Sequence, residues 1–301
     1  MTRRCGLVAV LGAPNAGKST LVNQLVGQKV AITSPKAQTT RARMLGIALH
    51  PDKEPDTQMV LVDTPGIFAP RRKLDRAMVS AAWDATPDAD AVLLLVDPVK
   101  QRRHELIPLV EALAQRPERK VLVLNKVDVA KKEPLLALAQ ELGALAEFAE
   151  IFFISALTGD GVPEMKAALA SMLPEAEWMY PEDQVSDASE RLLAAEVTRE
   201  QLYRQLHEEL PYDSAVRPER YIERDDGSVE IHQQIVIARE SQRPIVLGKG
   251  GKRIKEIGQS AREELAEMLG RKVHLFLHVK VEEGWAEDRE VFEEIGLEWR
   301  G

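Results

Sequence analysis

The chain has 301 residues, 45% of them hydrophobic, and a formal net charge of −8, which suits two globular domains of ordinary size. No apolar run approaches the roughly 18 residues needed to span a bilayer. The single cysteine, Cys5, excludes an internal disulfide framework and fits a reducing compartment. The charge is uneven: 22 Lys and Arg accompany 19 Asp and Glu up to Leu173, whereas 18 accompany 29 from Pro174 onward. Inside that acidic half, Arg239, Arg243, Lys249, Lys252, Arg253 and Lys255 cluster with only Glu240 against them. Such a patch still captures phosphates, because screening confines the surrounding acidic field to about 8–10 Å.

Taken in chain order, Met1 to Gly6 lead directly into a short apolar run ending at Leu11, which reads as a strand and not a signal peptide. Buried strands are predicted at Leu7–Leu11, Leu45–Leu49, Met59–Val62, Ala91–Val96, Val121–Leu124 and Ile151–Ile154. Helical spacing lies between most of them, as at Leu106, Leu109, Val110 and Leu113. Near-continuous apolar strands separated by helices predict an α/β domain with a mostly parallel sheet covered on both faces. Ligands of such sheets bind at the carboxyl ends of strands.

The first strand end carries Gly12-Ala13-Pro14-Asn15-Ala16-Gly17-Lys18-Ser19, a G-x-x-x-x-G-K-[ST] motif opening a helix. Its glycines let backbone N–H groups close around phosphate oxygens. Lys18 reaches the β- and γ-phosphates, Ser19 ligates Mg²⁺, and Ala16, Gly17 and Thr20 complete the phosphate loop. Asp63-Thr64-Pro65-Gly66 follows another strand, with Asp63 placed for Mg²⁺ and the Gly66 N–H for the γ-phosphate. Asn125-Lys126-Val127-Asp128 ends a third strand. A carboxylate at Asp128 accepts from guanine N1–H and the exocyclic amine, donors that adenine lacks on that edge.

Together these three motifs resemble the small GTPases of translation. The resemblance makes Ser155-Ala156-Leu157 a base-contacting loop and gives Gln38-Thr39-Thr40-Arg41 a threonine that completes the Mg²⁺ shell when γ-phosphate is present. Thr40 is preferred and Thr39 stays open. That loop and the segment after Gly66 are then the two switches, and Lys18, Thr40 and Gly66 the catalytic set. Many GTPases carry a water-orienting Gln after this glycine, where Ile67 stands here; slow intrinsic hydrolysis is expected. Asn15 matches the branch in which a phosphate-loop Asn helps bind potassium.

Pro174 to Asp183 lacks periodicity and reads as a linker, with Asp187 and Glu190 as a capping box for a helix toward Leu210. Strands follow at Ala215–Arg224 and Val229–Ala238 around Asp225-Asp226-Gly227. Gly248-Lys249-Gly250-Gly251 then opens a helix with Ile254, Ile257, Ala261, Leu265 and Met268 at helical spacing, and Val273 to Val281 alternates as a last strand. This order resembles a bacterial-type (type II) K homology (KH) domain, an α+β RNA-binding module. The resemblance assigns RNA contacts to Arg239, Gly248, Lys249, Gly250, Gly251, Lys252 and Arg253, with Ile254 and Ile257 in the base groove. His274 and His278 sit on a strand, roughly 13 Å apart, too far for one metal ion. The acidic tail from Glu282 to Glu298, with Trp285, Phe292 and Trp299, reads as a C-terminal helix.

The layout is a GTPase domain over 1–173, a linker over 174–186 and a KH domain with a C-terminal helix over 187–301. Over essentially the whole chain it resembles the Era family of bacterial ribosome-assembly GTPases. That resemblance implies GTP/GDP and Mg²⁺ as ligands and the 3′ end of small-subunit (16S) ribosomal RNA within the 30S precursor as partner. It also implies a cytoplasmic monomer with loose association at the inner membrane. A second reading is a GTPase acting on protein or membrane partners with the last domain as docking module. A third, an ATP-using kinase, is opposed by Asp128.

Overall fold

Six short runs of branched and apolar residues pair into one sheet, because each is apolar on both faces and helices flank it on either side. They are β1 (Arg4–Gly12), β2 (Met44–His50), β3 (Thr57–Asp63), β4 (Ala91–Val96), β5 (Lys120–Leu124) and β6 (Glu150–Phe153), in the order β2-β3-β1-β4-β5-β6. All neighbours are parallel except β2, which runs antiparallel to β3. The computed structural model describes residues 3–34, 36, 39–41, 43–70, 72–206, 210–289 and 297.

Alternation along β1 divides the core. Val8 and Val10 join Leu21, Leu25, Met165 and Leu169 from α1 (Lys18–Val26) and α5 (Val162–Met172) on one face. Ala9 and Leu11 join a second cluster with α2 (Lys73–Asp84), α3 (Arg103–Ala114) and α4 (Lys132–Leu145) on the other. Every residue of β3 and β4 is buried. The expectation of a fully buried last strand is corrected: Ile151 and Phe153 are exposed, since β6 has only β5 beside it.

The chain falls into two units, Met1–Ala31 with Thr40–Asp187, and Ile32–Thr39 with Ala188–Gly301. The aperiodic stretch after Leu173 lies along the first unit: Glu175 bridges to Arg4 and Ser186 to Gly46. The Gln58 side chain also receives Met179 and Tyr180 N–H at 3.0 Å.

In the second unit, α6 (Glu190–Gln205) precedes a three-stranded sheet, β7 (Ser214–Glu223), β8 (Val229–Ile237) and β9 (Val273–Val281), in that order. β7 and β8 form a hairpin; β8 and β9 are parallel and so need a crossover, supplied by α7 (Arg243–Leu247) and α8 (Lys252–Leu269). One helix end departs from the expectation. Ser189, not Asp187, caps α6 by accepting the Leu192 N–H, while the Asp187 carboxylate takes the Leu45 N–H at 3.3 Å. The apolar Ile245-Val246-Leu247 is a short helix with Pro244 in its first turn. Trp285 is buried in a 3₁₀ turn and its Nε1 donates to the Asp213 carbonyl at 3.1 Å. Gln38 and most of the expected terminal helix, including Phe292 and Trp299, lie outside the described residues.

Candidate nucleotide site and RNA-binding loop

The Gly12–Ser19, Asp63–Gly66, Asn125–Asp128 and Ser155–Leu157 motifs emerge at the carboxyl ends of β1, β3, β5 and β6, and the N-terminus of α1 presents free N–H groups there. Space as well as conformation demands glycine. A Cβ on Gly12 would sit 2.3 Å from the Leu95 carbonyl oxygen, and one on Gly66 2.6 Å from the Pro14 nitrogen. The segment after β3 is thereby pressed onto the phosphate loop, and the Ile67 N–H donates to the Gly12 carbonyl at 3.0 Å. Ile67 itself packs against the core, so its side chain is committed to packing.

Lys18 is buried at the start of α1, its ammonium donating to the Gly12 and Ala13 carbonyls at 3.2 and 3.1 Å. Burial pushes its pKa down to about 8, partly countered by the Asp63 charge. Three oxygens converge beside it. The Ser19 hydroxyl is 2.7 Å from Asp63 Oδ2 and 2.8 Å from the Thr40 hydroxyl, which lies 3.3 Å from the same carboxylate. Thr39 turns away, its hydroxyl donating to the Lys36 carbonyl. An all-oxygen donor set of this kind suits a hard cation such as Mg²⁺.

Asn125 is a fastener. Its amide donates to the Ala16 carbonyl at 2.8 Å and its oxygen accepts the Ala156 N–H at 2.9 Å, tying the phosphate loop to the 155–157 loop. Lys126, at φ 65°, reaches over the phosphate loop to the Asn15 carbonyl at 2.8 Å. Its other partner is Asp97 at 2.5 Å, a buried acid at the end of β4 that sequence reasoning missed because no motif marks it. Asp97 also caps the next turn through the Val99 and Lys100 N–H groups. Ser155 and Ala156 are buried, whereas Asp128 and Leu157 are exposed, leaving them open to a base. Thr20 is half-buried in the first turn of α1, and Asn15 is exposed with φ 63°.

In the second unit, α7 stops at Gly248 and α8 starts after Gly251 without a side-chain cap. Its first-turn N–H groups and positive dipole end are therefore open to an anion. Gly250 and Gly251 have φ of 61° and 76°, and a Cβ on either would meet nothing within 4 Å. A Cβ on Gly248 would instead collide with Arg253 at 2.6 Å. Arg239, Lys249, Lys252 and Lys255 are exposed around this loop, while Arg253 turns inward to the Gln205 carbonyl at 2.6 Å.

Ile254 is half-buried beside Leu277 and Val279 of β9, the sheet's edge strand. Ile257 is fully buried, so it supports this apolar strip from beneath and does not face it. Leu277 and Val279 were legible only as alternating strand residues, since which face meets α8 depends on tertiary packing. His278 pairs with Glu219 at 3.4 Å, and His232 stacks on Phe276 at 4.7 Å.

A guanine-specific phosphate site on a parallel sheet, followed by a G-x-x-G module, defines a P-loop GTPase with an appended KH domain. Residues 7–126 match the family described as 50S ribosome-binding GTPase, and residues 209–286 match the KH domain family. GTPase Era of Erythrobacter litoralis is 80% identical, covering 98% of this chain and 97% of its own, and GTPase Era of Caulobacter vibrioides is 51% identical over the same shares. The crystal structure of an Aquifex aeolicus Era variant bound to GDP·AlF4⁻ superposes with a TM-score of 0.90 at 37% identity, covering 97% of this chain and 99% of that one. Era in complex with MgGDPNP and nucleotides 1506–1542 of 16S ribosomal RNA gives 0.91 at 37% identity, with 98% and 99% covered. The chain belongs to the GTPase Era family.

Proposed function

We infer that this chain is a GTP-hydrolysing switch that binds the 3′ end of 16S ribosomal RNA and assists maturation of the 30S subunit. The observation that carries the reading is the convergence of Ser19, Thr40 and Asp63 oxygens beside Lys18, in a chain whose other unit presents an open G-x-x-G loop amid exposed cations. Mg²⁺ bound here would neutralise charge on the β- and γ-phosphate oxygens. Ser19 and Thr40 would hold the ion, with Asp63 beside them. Lys18 binds the β- and γ-phosphates, and the Gly66 N–H meets the γ-phosphate. Asp128 selects guanine over adenine, with Leu157 against the base.

Catalysis rests on positioning and electrostatics, because Ile67 has no group to orient water. Asn15 would help hold a potassium ion near the phosphates. Replacing Asn15 with Ala should abolish potassium stimulation of hydrolysis; stimulation that persists would remove that role. Lys249, Lys252 and the α8 N-terminus hold the RNA backbone, while bases lie along Ile254, Leu277 and Val279. Among the described residues no helix is long and apolar enough to cross a membrane. The reading places the protein in the cytoplasm as a monomer, with loose peripheral contact at the inner membrane.

The test is binding of a short oligonucleotide matching the 16S 3′ end to wild type and Gly250→Asp, with a GTP analogue or GDP. A Cβ there meets no protein atom within 4 Å, and the φ of 61° costs about 1–2 kcal/mol of backbone strain that Asp tolerates better than most residues, so the carboxylate acts chiefly on RNA phosphate. Tight, GTP-favoured binding lost in the variant is expected. Absence of binding in both nucleotide states would leave a GTPase with a protein or membrane partner.

A further inference from the structure

Lys126 lies in the left-handed region at φ 65°, a conformation that a residue with a side chain keeps only where its surroundings hold it. The holding contacts cross three loops of the first unit. The Lys126 carbonyl accepts the Val129 and Ala130 N–H groups at 3.1 Å. Its ammonium donates to the Asn15 carbonyl at 2.8 Å and pairs with the Asp97 carboxylate at 2.5 Å. The residue before it, Asn125, holds the Ala16 carbonyl. Consecutive residues of the base motif thus hold consecutive carbonyls of the phosphate loop. Asn125 is oriented by its second bond, from the Ala156 N–H. Lys126 has a long flexible stem, and Asp97 is what orients it.

The Asp97 carboxylate divides two tasks between its oxygens. It is buried just past the end of β4, where Oδ1 accepts the Val99 and Lys100 N–H groups at 2.9 and 3.0 Å while Oδ2 meets Lys126. The capped turn keeps the anion from swinging away, and burial strengthens its attraction for the ammonium. Capping alone needs one oxygen, and an Asn would serve. The second oxygen and the charge are accounted for by Lys126. We propose that Asp97 is a positioning residue for retention of guanine nucleotide, holding Lys126 across the phosphate loop and so locking the turn that carries Asp128. The proposal rests on the reading of Asp128 as the guanine acceptor. Without the anion the strained turn relaxes, the base motif loosens from the phosphate loop, and nucleotide leaves faster.

The experiment measures dissociation of fluorescent GDP and of a fluorescent GTP analogue from the full chain in Mg²⁺. It compares wild type, Asp97→Asn, Lys126→Met, the double variant and Asp128→Ala. Asp97→Asn keeps the Oδ1 cap and the volume but removes the charge, and should release both nucleotides about tenfold faster. In the Lys126→Met chain, which has already lost the ammonium, the same change should alter the rate by less than about twofold. A merely structural role for Asp97 would show its full effect in both backgrounds, and that result overturns the proposal. A wild-type rate in Asp97→Asn overturns it as well. Wild-type release from Asp128→Ala overturns instead the reading of Asp128 on which the proposal stands. Should Asp97→Asn fail to fold, Lys126→Met decides: its side chain is partly exposed, and release at the wild-type rate rejects the proposal.

Discussion

Lys18 carries a charge where burial opposes it, which makes nucleotide binding a protonation event. In the free protein its amine is half neutral near pH 8, while phosphate oxygens favour the ammonium. Binding should therefore take up a proton above that pH, and affinity for GDP should fall by up to about tenfold per pH unit. Calorimetry in buffers of different ionisation enthalpy measures the uptake; affinity independent of pH between 7 and 9 would place the amine's pKa elsewhere. Asp128 poses a simpler question. Replacing it with Ala removes a charged acceptor of two guanine donors, a loss of about 1.5–3 kcal/mol per charged hydrogen bond. Competition between GTP and ATP should then show guanine preference reduced by an order of magnitude or more.

At the scale of elements, Asn125 and Gln233 make opposite predictions from the same physics. Asn125→Ala leaves the Ala16 carbonyl and Ala156 N–H without their partner. Each buried group so stranded costs about 1–3 kcal/mol, so thermal denaturation should show a clear loss of stability together with weaker nucleotide binding. Gln233 is fully buried on the core face of β8, and neither end of its amide has a hydrogen-bond partner among the described residues. Gln233→Met removes that desolvation cost at similar volume and should stabilise the second unit by about 1–2 kcal/mol. Destabilisation in urea melts would show that the amide is satisfied in solution. The α7 segment has too few residues for periodicity to declare a helix, and β6 gave the same apolar signal as interior strands although it lies at an edge.

At the scale of the molecule, an acidic second domain binds a polyanion through a small cationic area. With Arg239, Lys249, Lys252 and Lys255 exposed, three or four phosphates are neutralised. The slope of log affinity against log salt should then be about −2 to −3, and Lys249→Gln should lower it by about 0.7 while weakening all sequences alike. A much steeper slope would mean that cations outside this area take part. RNA preference for the GTP state, if present, must be matched by an equal RNA effect on GTP affinity.

The sequence by itself determined the parallel sheet, the three nucleotide motifs, the G-x-x-G loop and their order along the chain. These depend on local spacing: a glycine at a strand end, a lysine next to a helix start and apolar runs of fixed period act over a few residues. Tertiary structure alone decided which threonine meets Asp63, that Asn125 ties two loops while Asp128 stays open, and that Asp97 holds Lys126. It also decided that Ile257 supports the apolar strip while Leu277 and Val279 line it, and that Lys36 and Thr39 bond to α6. Each of these joins residues far apart in the chain through side-chain direction and burial, and none is written in the spacing of one segment.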